Sequence, residues 1–227
     1  MLKIVYDPAP RNTDEIFSEE DRNRFFERFE VVTVNPENRA HIYKTELPST
    51  DILISQQPIN SSMLDAATRL RAIINVETNF LPNIDYNTCF RRGIHVLTPA
   101  SVFATAVAEI ALGMALSLAR DIHTAQLDFL NGKESYGLES NSRAELLSNS
   151  NIGFIGFGDL GKSLHSLLVP FNATSRVYDP WLPDDYLTRC GVQPCSMEDV
   201  LTKSRVVFIV ASVRTENKEL LNTERLL

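Results

Sequence analysis

Short apolar runs alternate with helix-like segments along most of the chain. In the first hundred residues, β-branched and aliphatic runs predict five strands, at residues 2–6, 31–34, 51–55, 72–76 and 94–97. The segments between them predict helices at residues 18–29, 61–70 and 85–92, with Ser18 and either Ser61 or Ser62 as N-caps and Gly93 as a helix end. Strands that alternate with helices predict a parallel, doubly wound sheet, and five strands suit a flavodoxin-like domain.

Residues 100–119 form one almost wholly apolar stretch. Its length matches a membrane span, but Glu109 at its middle costs about 2 to 3 kcal/mol in a bilayer. The stretch therefore predicts a buried helix, covered on most sides by two domains or by a partner subunit, and no membrane association.

Residues 151–179 read as strand, glycine turn, helix and strand. Gly156, Gly158 and Gly161 form a G-x-G-x-x-G motif, which permits a tight turn, close approach of a pyrophosphate and close helix packing. Asp179 ends the second strand, where a carboxylate can accept hydrogen bonds from both ribose hydroxyls. Because its charge would repel a 2′-phosphate and no Arg or Lys follows at 180–182, we expect NAD rather than NADP.

The remaining residues predict strands at 192–194 and 205–210, a helix opened by the S-x-x-D sequence at 196–199, and a further helix start at 222–224. Pro180 and Pro183 are expected to prevent a helix directly after Asp179. After Thr98-Pro99 the pattern changes, so we expect one domain at residues 1–98 and a second at 99–227. A dinucleotide-binding domain has about six parallel strands, and only four are predicted from residue 151 onward. We therefore expect the second domain to lack its C-terminal half.

Composition narrows the functional classes. The 227 residues carry a net charge of −7, which argues against a nucleic-acid partner. The three cysteines show no C-x-x-C pair, which suits a reducing, cytoplasmic compartment, and no metal site is predicted. The N-terminus lacks the pattern of a secretion signal.

Three segments carry a resemblance to a known family: LRAIINVETNFLPNIDYNTCFRRGIHVLTP, VFATAVAEIALGMALSLAR, and NIGFIGFGDLG followed by VYDPW. From about residue 51 onward the chain resembles the D-isomer-specific 2-hydroxyacid dehydrogenases, such as phosphoglycerate, D-lactate, glyoxylate/hydroxypyruvate and formate dehydrogenases. The resemblance implies NAD-dependent chemistry on the CH–OH group of a small 2-hydroxy acid, or reduction of the 2-keto acid. It also implies a homodimer built largely on the cofactor domain.

The resemblance also implies which residues bind the cofactor and the substrate. By this resemblance, residues of the glycine turn bind the phosphates and Asp179 binds the adenosine ribose. Ser212 would lie near the cofactor; alternatively, it is only a turn residue at the end of a strand. Where the family has Gly-x-Gly to hold the substrate carboxylate, this chain has Thr78, Asn79 and Phe80, which predicts a narrower pocket or a reshaped loop. The expected phosphate contacts are Gly156, Gly158, Asp159, Leu160 and Gly161.

The family's catalytic Arg, Glu and His lie downstream of the strand predicted at 205–210, beyond Leu227, so no catalytic residue is assigned. His165 is expected to be exposed on the helix after the glycine turn, and Arg214 to be a solvated loop residue. We therefore expect a dehydrogenase fragment that retains most of its NAD site. The alternatives are a non-catalytic, NAD-binding regulator resembling the C-terminal-binding-protein corepressors, and another Rossmann enzyme such as a relative of alanine dehydrogenase or adenosylhomocysteinase.

Overall fold

The computed structural model describes residues 1–138, 141–212 and 219–226. They form two compact units, one built by Met1–Ala100 and the other by residues 101–212 and 219–226. The division falls after Ala100, two residues beyond the expected domain boundary. Each unit contains one parallel sheet with helices in its connections, so the predicted α/β class with two such sheets is confirmed.

The sheet of the first unit has five parallel strands in the spatial order β2-β1-β3-β4-β5. They are β1 (Lys3–Asp7), β2 (Glu30–Thr33), β3 (Ile52–Ser55), β4 (Ala72–Ile74) and β5 (His95–Leu97). This is the order of flavodoxin-like domains, as predicted. The direction of winding reverses between β1 and β3, and such a switch point is where open parallel sheets bind ligands beyond their carboxyl ends.

Buried apolar side chains lie on both faces of this sheet, and Ile4 and Tyr6 are on the face opposite the main core cluster. Val5, Leu53 and Ile73 are fully buried and sit side by side on β1, β3 and β4. Burying aliphatic side chains of this size stabilises the fold by about 1.5–3 kcal/mol each. The same central strands therefore fix the register of the sheet and carry much of its stability.

Five helices lie in this unit: α1 (Thr13–Ile16), α2 (Glu19–Arg28), α3 (Arg39–Glu46), α4 (Ser61–Ala66) and α5 (Tyr86–Arg92). The ends of two of these helices, α2 and α5, are capped as the sequence predicts. The Ser18 hydroxyl accepts a hydrogen bond from the Asp21 amide at the start of α2, and Gly93 ends α5 in the left-handed conformation at φ 68°. Helices α1 and α3 are not predicted from the sequence.

The predicted cap of α4 is wrong. Asn60, rather than Ser61 or Ser62, accepts the hydrogen bond from the Met63 amide, at 3.0 Å. A short amide side chain at this position reaches the third amide of the helix as well as a hydroxyl does. The helix also ends earlier than predicted, because Ala67 leaves the helical conformation.

The sheet of the second unit has four parallel strands in the spatial order β8-β7-β6-β9. They are β6 (Asn151–Ile155), β7 (Thr174–Tyr178), β8 (Gln193–Pro194) and β9 (Val206–Ile209). Numbered within the unit, this order is 3-2-1-4, the first part of the Rossmann order. The switch point lies between β6 and β9, directly beyond the glycine turn.

Among the described residues, six α-helices accompany this sheet: α6 (Ala100–Ala119), α7 (Ile122–Leu130), α8 (Asp159–Leu168), α9 (Asp184–Arg189), α10 (Met197–Lys203) and α11 (Thr223–Leu226). Helices α7 and α9 are not predicted. Two residues, Arg120 and Asp121, separate α6 from α7, and Asp121 has the left-handed conformation at φ 54°. Pro183 was expected to prevent a helix, but it occupies the N-cap of α9, where its missing N–H is not needed.

The prediction that α6 is buried is wrong for this chain. Ala104, Ala108 and Ala115 are buried, whereas Leu118 is 80% exposed. The fully buried positions are all alanines, and Leu112 and Leu116 are half-buried against the core of the second unit. Within the described residues this helix is long and apolar enough to cross a membrane, with Glu109 exposed near its middle.

Candidate dinucleotide-binding site

Gly156 forms the turn between β6 and α8 and has φ 90°. A Cβ atom at this position would lie 2.8 Å from the backbone of Ala211, which follows β9. Both the left-handed conformation and the close approach of the neighbouring chain exclude a side chain. The fold itself therefore requires glycine at position 156.

Gly161 packs the first turn of α8 against the turn that precedes it. A Cβ atom here would lie 3.1 Å from the Gly156 carbonyl oxygen and 3.3 Å from the Phe157 ring. Phe157 is fully buried, so its ring has little room to move. Close packing of helix on strand thus accounts for the third glycine of the motif, as predicted.

Gly158 differs from Gly156 and Gly161, because nothing in the described part of the fold requires a glycine at its position. It is the N-cap residue of α8, its φ is −70°, and a Cβ atom placed on it would meet nothing within 4 Å. Neither its conformation nor its protein neighbours require glycine. The open space lies at the N-terminus of a ten-residue helix, whose first amides have no helical partner and attract anions. These amides include Asp159 and Leu160, the other two expected phosphate contacts.

Asp179 lies directly after β7 and faces the glycine turn. Its Oδ2 atom accepts a hydrogen bond from the Phe157 amide at 2.7 Å. Its Oδ1 atom accepts hydrogen bonds from the amides of Trp181 and Leu182, at 2.9 and 3.2 Å. The sequence identified the residue but not these contacts, which place the carboxylate beside the turn before any ribose is bound.

Ser212 lies three residues beyond the end of β9 and is exposed, at the switch point between β6 and β9. Its position is compatible with the expected place near a cofactor. Arg214, expected to be a solvated loop residue, lies outside the described residues.

The prediction that His165 is exposed is wrong. It is half-buried on α8, with Nδ1 3.1 Å from the hydroxyl of Ser175, a buried residue of β7. Burial lowers the pKa of the imidazole, and a hydrogen bond to the Cys190 carbonyl only partly opposes this effect. Both ring nitrogens therefore serve the packing of α8, which gives this histidine a structural role.

The expected substrate loop, Thr78 to Phe80, follows β4 in the first unit. Among the described residues, none of these three has a positive φ, so the loop does not reproduce the glycine conformations of the family. Phe80 is partly exposed, and its ring packs edge-on against Tyr86 at 6.3 Å between centroids. The side chains at these positions therefore cause no left-handed backbone strain, and a reshaped substrate loop stays a prediction.

Three amide side chains near this loop were missed by the sequence reasoning. Gln56 and Asn75 directly follow β3 and β4, and Asn83 precedes α5. Buried amide atoms on each of them have no hydrogen-bond partner within the described residues, and Asn75 is 1% exposed. Gln56 also orders the loop, since its Oε1 accepts a hydrogen bond from the Glu77 amide. Polar residues directly after buried strands were the available sequence signal.

Together, a parallel strand, a glycine turn with open space at a helix N-terminus, and a carboxylate after the next strand define a dinucleotide-binding protein of the Rossmann class. The comparison with known families refines this assignment. The family model described as "D-isomer specific 2-hydroxyacid dehydrogenase, NAD binding domain" matches residues 112–227. The chain therefore belongs to the D-isomer-specific 2-hydroxyacid dehydrogenase family and carries its NAD-binding domain.

Individual relatives agree with this assignment. The chain is 28% identical over 191 residues to a hydroxypyruvate reductase from Thermotoga maritima, covering 81% of this chain and 60% of the relative. It is 28% identical over 209 residues to a glyoxylate reductase from Thermococcus kodakarensis, covering 88% of this chain and 62% of the relative. The chain thus spans about three fifths of the length of these curated relatives.

A solved structure provides a further match. The crystal structure of a phosphoglycerate oxidoreductase from Rhizobium etli superposes with a TM-score of 0.81 at 44% identity, covering 99% of this chain and 67% of the other. A D-lactate dehydrogenase from Aquifex aeolicus, complexed with NAD and lactic acid, has a TM-score of 0.70 at 20% identity, covering 98% and 64%, which shows the shared fold.

Proposed function

We propose that the protein containing this chain binds NAD and transfers a hydride between it and a small 2-hydroxy acid, in the physiological direction reducing the 2-keto acid. The observation that carries this proposal is the open space at Gly158, because the fold alone does not require glycine there. Family membership supplies the reaction class. The nicotinamide supplies the hydride chemistry when NAD is bound.

The described residues fit the adenosine and pyrophosphate part of this cofactor. The pyrophosphate would lie against the backbone at Gly158 and the first amides of α8. Asp179 already fixes its carboxylate beside the turn, and its oxygens retain lone pairs for the ribose hydroxyls. The same charge would repel the 2′-phosphate of NADP, which supports NAD as the cofactor.

For the substrate we propose a small 2-keto acid that contacts the loop of Thr78, Asn79 and Phe80. The support is the position of this loop at the carboxyl end of β4, where ligands of such sheets bind. The unpartnered amide atoms of Gln56 and Asn75 place further hydrogen-bonding groups beside the same strand ends. A polar substrate suits this surrounding better than an apolar one.

Two glycine substitutions test the cofactor site. Gly158→Ala places a methyl group in the open space, so we expect a folded chain of unchanged stability whose affinity for NAD, measured by titration calorimetry, falls at least about tenfold. Gly156→Ala is the matched control, because it should lower stability directly. Equal NAD affinity of Gly158→Ala and the unaltered chain would contradict the proposed site.

The reaction itself is tested by assaying the protein with NADH and glyoxylate, hydroxypyruvate or pyruvate. We expect oxidation of NADH with at least one of the three. Tight NAD binding without turnover of any keto acid would refute the enzymatic proposal and favour the NAD-binding regulator.

We further propose that the protein is a homodimer in which α6 contributes to the interface. Ile110, Met114 and Leu118 recur every four residues and form one exposed apolar stripe. A stripe of this kind on a water-soluble protein marks a contact surface. The family resemblance, which implies a dimer built on the cofactor domain, makes a second copy of the chain the favoured partner.

Light scattering after size-exclusion chromatography tests this dimer. Met114→Glu should shift the protein toward the monomer, because it places a charge in the middle of the stripe. Phe90→Glu, which changes an exposed apolar residue of α5 in the first unit, is the control and should leave the dimer intact. A dimer that persists unchanged in Met114→Glu would exclude this interface.

Finally, we propose a cytoplasmic location. The three cysteines are all free thiols, with Cys89 buried and the other two half-buried. A chain with unpaired thiols suits a reducing compartment. Detection of the protein in the soluble cytoplasmic fraction of fractionated cells would support this location, and recovery from the secreted or membrane fraction would contradict it.

A further inference from the structure

A groove of about 590 Å³ runs between α3 and α4 in the first unit. It begins at the loops after β2 and β3, which supply Pro36 and Gln57, and continues down both helices. Its volume is in the range of clefts that hold small organic ligands. The loop after β3 belongs to the β1/β3 switch point of this sheet, where ligands of such folds bind.

The walls of this groove are largely apolar. Leu47, directly after α3, Met63 on α4 and Pro58 in the loop after β3 all line it. Such walls favour an occupant with an aliphatic or aromatic body. None of the residues proposed to bind NAD or the keto acid lines this groove.

The polar side chains of the groove are donors. Lys44 lies on the exposed side of α3, and within the described residues its ammonium makes no ion pair or hydrogen bond. The side-chain amide of Gln57 likewise makes no hydrogen bond within the described residues, whereas its backbone N–H donates to the Ser55 hydroxyl. Among the residues that line the groove, none is an Asp or Glu. The charge of Arg39 is paired with the buried Asp7, so Lys44 supplies the unpaired positive charge that would attract a negatively charged group.

Arg39 adds a preorganised cation. Its Nε and Nη2 atoms donate to the two oxygens of the buried Asp7 carboxylate, at 2.6 and 3.1 Å. Asp7 also accepts a hydrogen bond from the Tyr43 hydroxyl at 2.9 Å. These contacts hold the guanidinium in place, while its Nη1 atom makes no hydrogen bond within the described residues. The free edge of a held guanidinium is a good partner for a carboxylate.

From this arrangement we propose that the groove between α3 and α4 binds a small amphipathic carboxylate. Its carboxylate contacts Arg39 and Lys44, and its apolar body lies against Leu47 and Met63. The site belongs wholly to the first unit and does not depend on NAD. Its ligand is thus an organic acid larger and more apolar than the keto acids discussed above.

The test uses 4-phenylbutyrate as the probe and the neutral 4-phenylbutyramide as its matched control, each titrated into the chain and followed by ligand-observed NMR. We expect saturable binding of the carboxylate and binding of the amide weakened about tenfold, because the charge-assisted contacts are lost. Equal binding of the two probes, or no binding of either, would overturn the proposal.

Two substitutions locate the site without disturbing the Asp7–Arg39 pair. Lys44→Glu should weaken binding of 4-phenylbutyrate at least about fivefold, whereas Lys133→Glu, the same charge change on an exposed lysine of the second unit, should leave it unchanged. Ala40→Trp, at an exposed groove position on α3, should block binding with the fold retained by circular dichroism. Unaltered binding in Lys44→Glu or Ala40→Trp refutes this location.

Discussion

The carboxylate of Asp179 anchors the glycine turn by accepting a hydrogen bond from the Phe157 amide, 22 residues earlier in the chain, at 2.7 Å. With the amides of Trp181 and Leu182 it satisfies three backbone donors in two loops. The residue expected to bind ribose therefore also shapes the site before the cofactor arrives.

It follows that Asp179→Ala should lower the free energy of unfolding by about 1.5–3 kcal/mol, since backbone donors lose a charged acceptor. Asp179→Asn keeps one acceptor oxygen, so its free energy of unfolding should fall by less than that of Asp179→Ala. Urea denaturation in the absence of NAD measures both. Glu134→Ala, at an exposed site, is the control, and a stability of Asp179→Ala equal to that control would show that the anchoring is negligible.

Gly153→Ala should destabilise the second unit although Gly153 is not in the nucleotide motif. A Cβ atom there would lie 2.7 Å from both Val200 Cγ1 and Ser204 Oγ, where α10 crosses β6. Overpacking of this kind costs about 1–3 kcal/mol. Ser204→Ala in the same background should recover part of the loss, because it removes one clashing atom that also has no hydrogen-bond partner. Thermal unfolding of the single and double variants checks this.

Acidification should weaken the fold through His165. Burial lowers the pKa of the folded imidazole below the value of about 6.5 expected in the unfolded chain. The unfolded state then binds more protons, so stability is lost as pH falls from about 6.5 through the folded pKa. His165→Gln should flatten this part of the pH profile of the unfolding free energy.

The control for this profile is His95→Gln, because His95 is exposed on the edge strand β5. The pKa of the Asp51 carboxyl is lowered, chiefly by a hydrogen bond from the Lys3 amide, so the stability that Asp51 contributes is lost as pH falls from about 3.9, the unfolded value, through the lower folded pKa. The two effects therefore occupy different pH windows. A profile of His165→Gln identical to that of the unaltered chain between pH 6.5 and 5 contradicts the assignment.

Arg39→Met should be severely destabilising, by about 3–5 kcal/mol, because it leaves the fully buried Asp7 carboxylate without its cation. Adding Asp7→Asn should restore part of the stability, since a neutral amide needs no counter-charge. Denaturation of both single variants and the double variant measures the coupling energy. Additive losses would mean that the two residues do not act as a pair.

The elements with strong local signals were predictable from sequence. Ser18 followed by acidic residues specified α2, Gly93 specified the end of α5, and the apolar run before Gly156 specified β6. In these cases the local preference and the tertiary packing agree. The glycine motif followed by Asp179 likewise predicted an NAD-binding domain, and the family match over residues 112–227 confirms that domain.

Where the same residues are compatible with several local structures, the sequence did not predict which one forms. Helix α3 buries only Tyr43 and lacks a side-chain cap, so it has little amphipathic pattern. Pro183 indicated a break but begins α9. His165 is half-buried because α8 turns that face toward β7, which depends on helix rotation. The groove beside Arg39 is lined by residues from two separate strand-to-strand connections. A local sequence pattern cannot predict that these residues lie side by side.

The glycines of the motif also differ in what would preserve them through evolution. Selection for a stable chain is enough to retain Gly156, whereas the protein neighbours of Gly158 leave room for a side chain, and the proposed ligand gives the stronger reason to retain glycine there. A library randomised at both positions and screened for solubility alone should keep glycine at 156 and admit larger residues at 158. In proteins related to this chain, a residue larger than glycine at position 158 would then indicate that the cofactor is no longer bound.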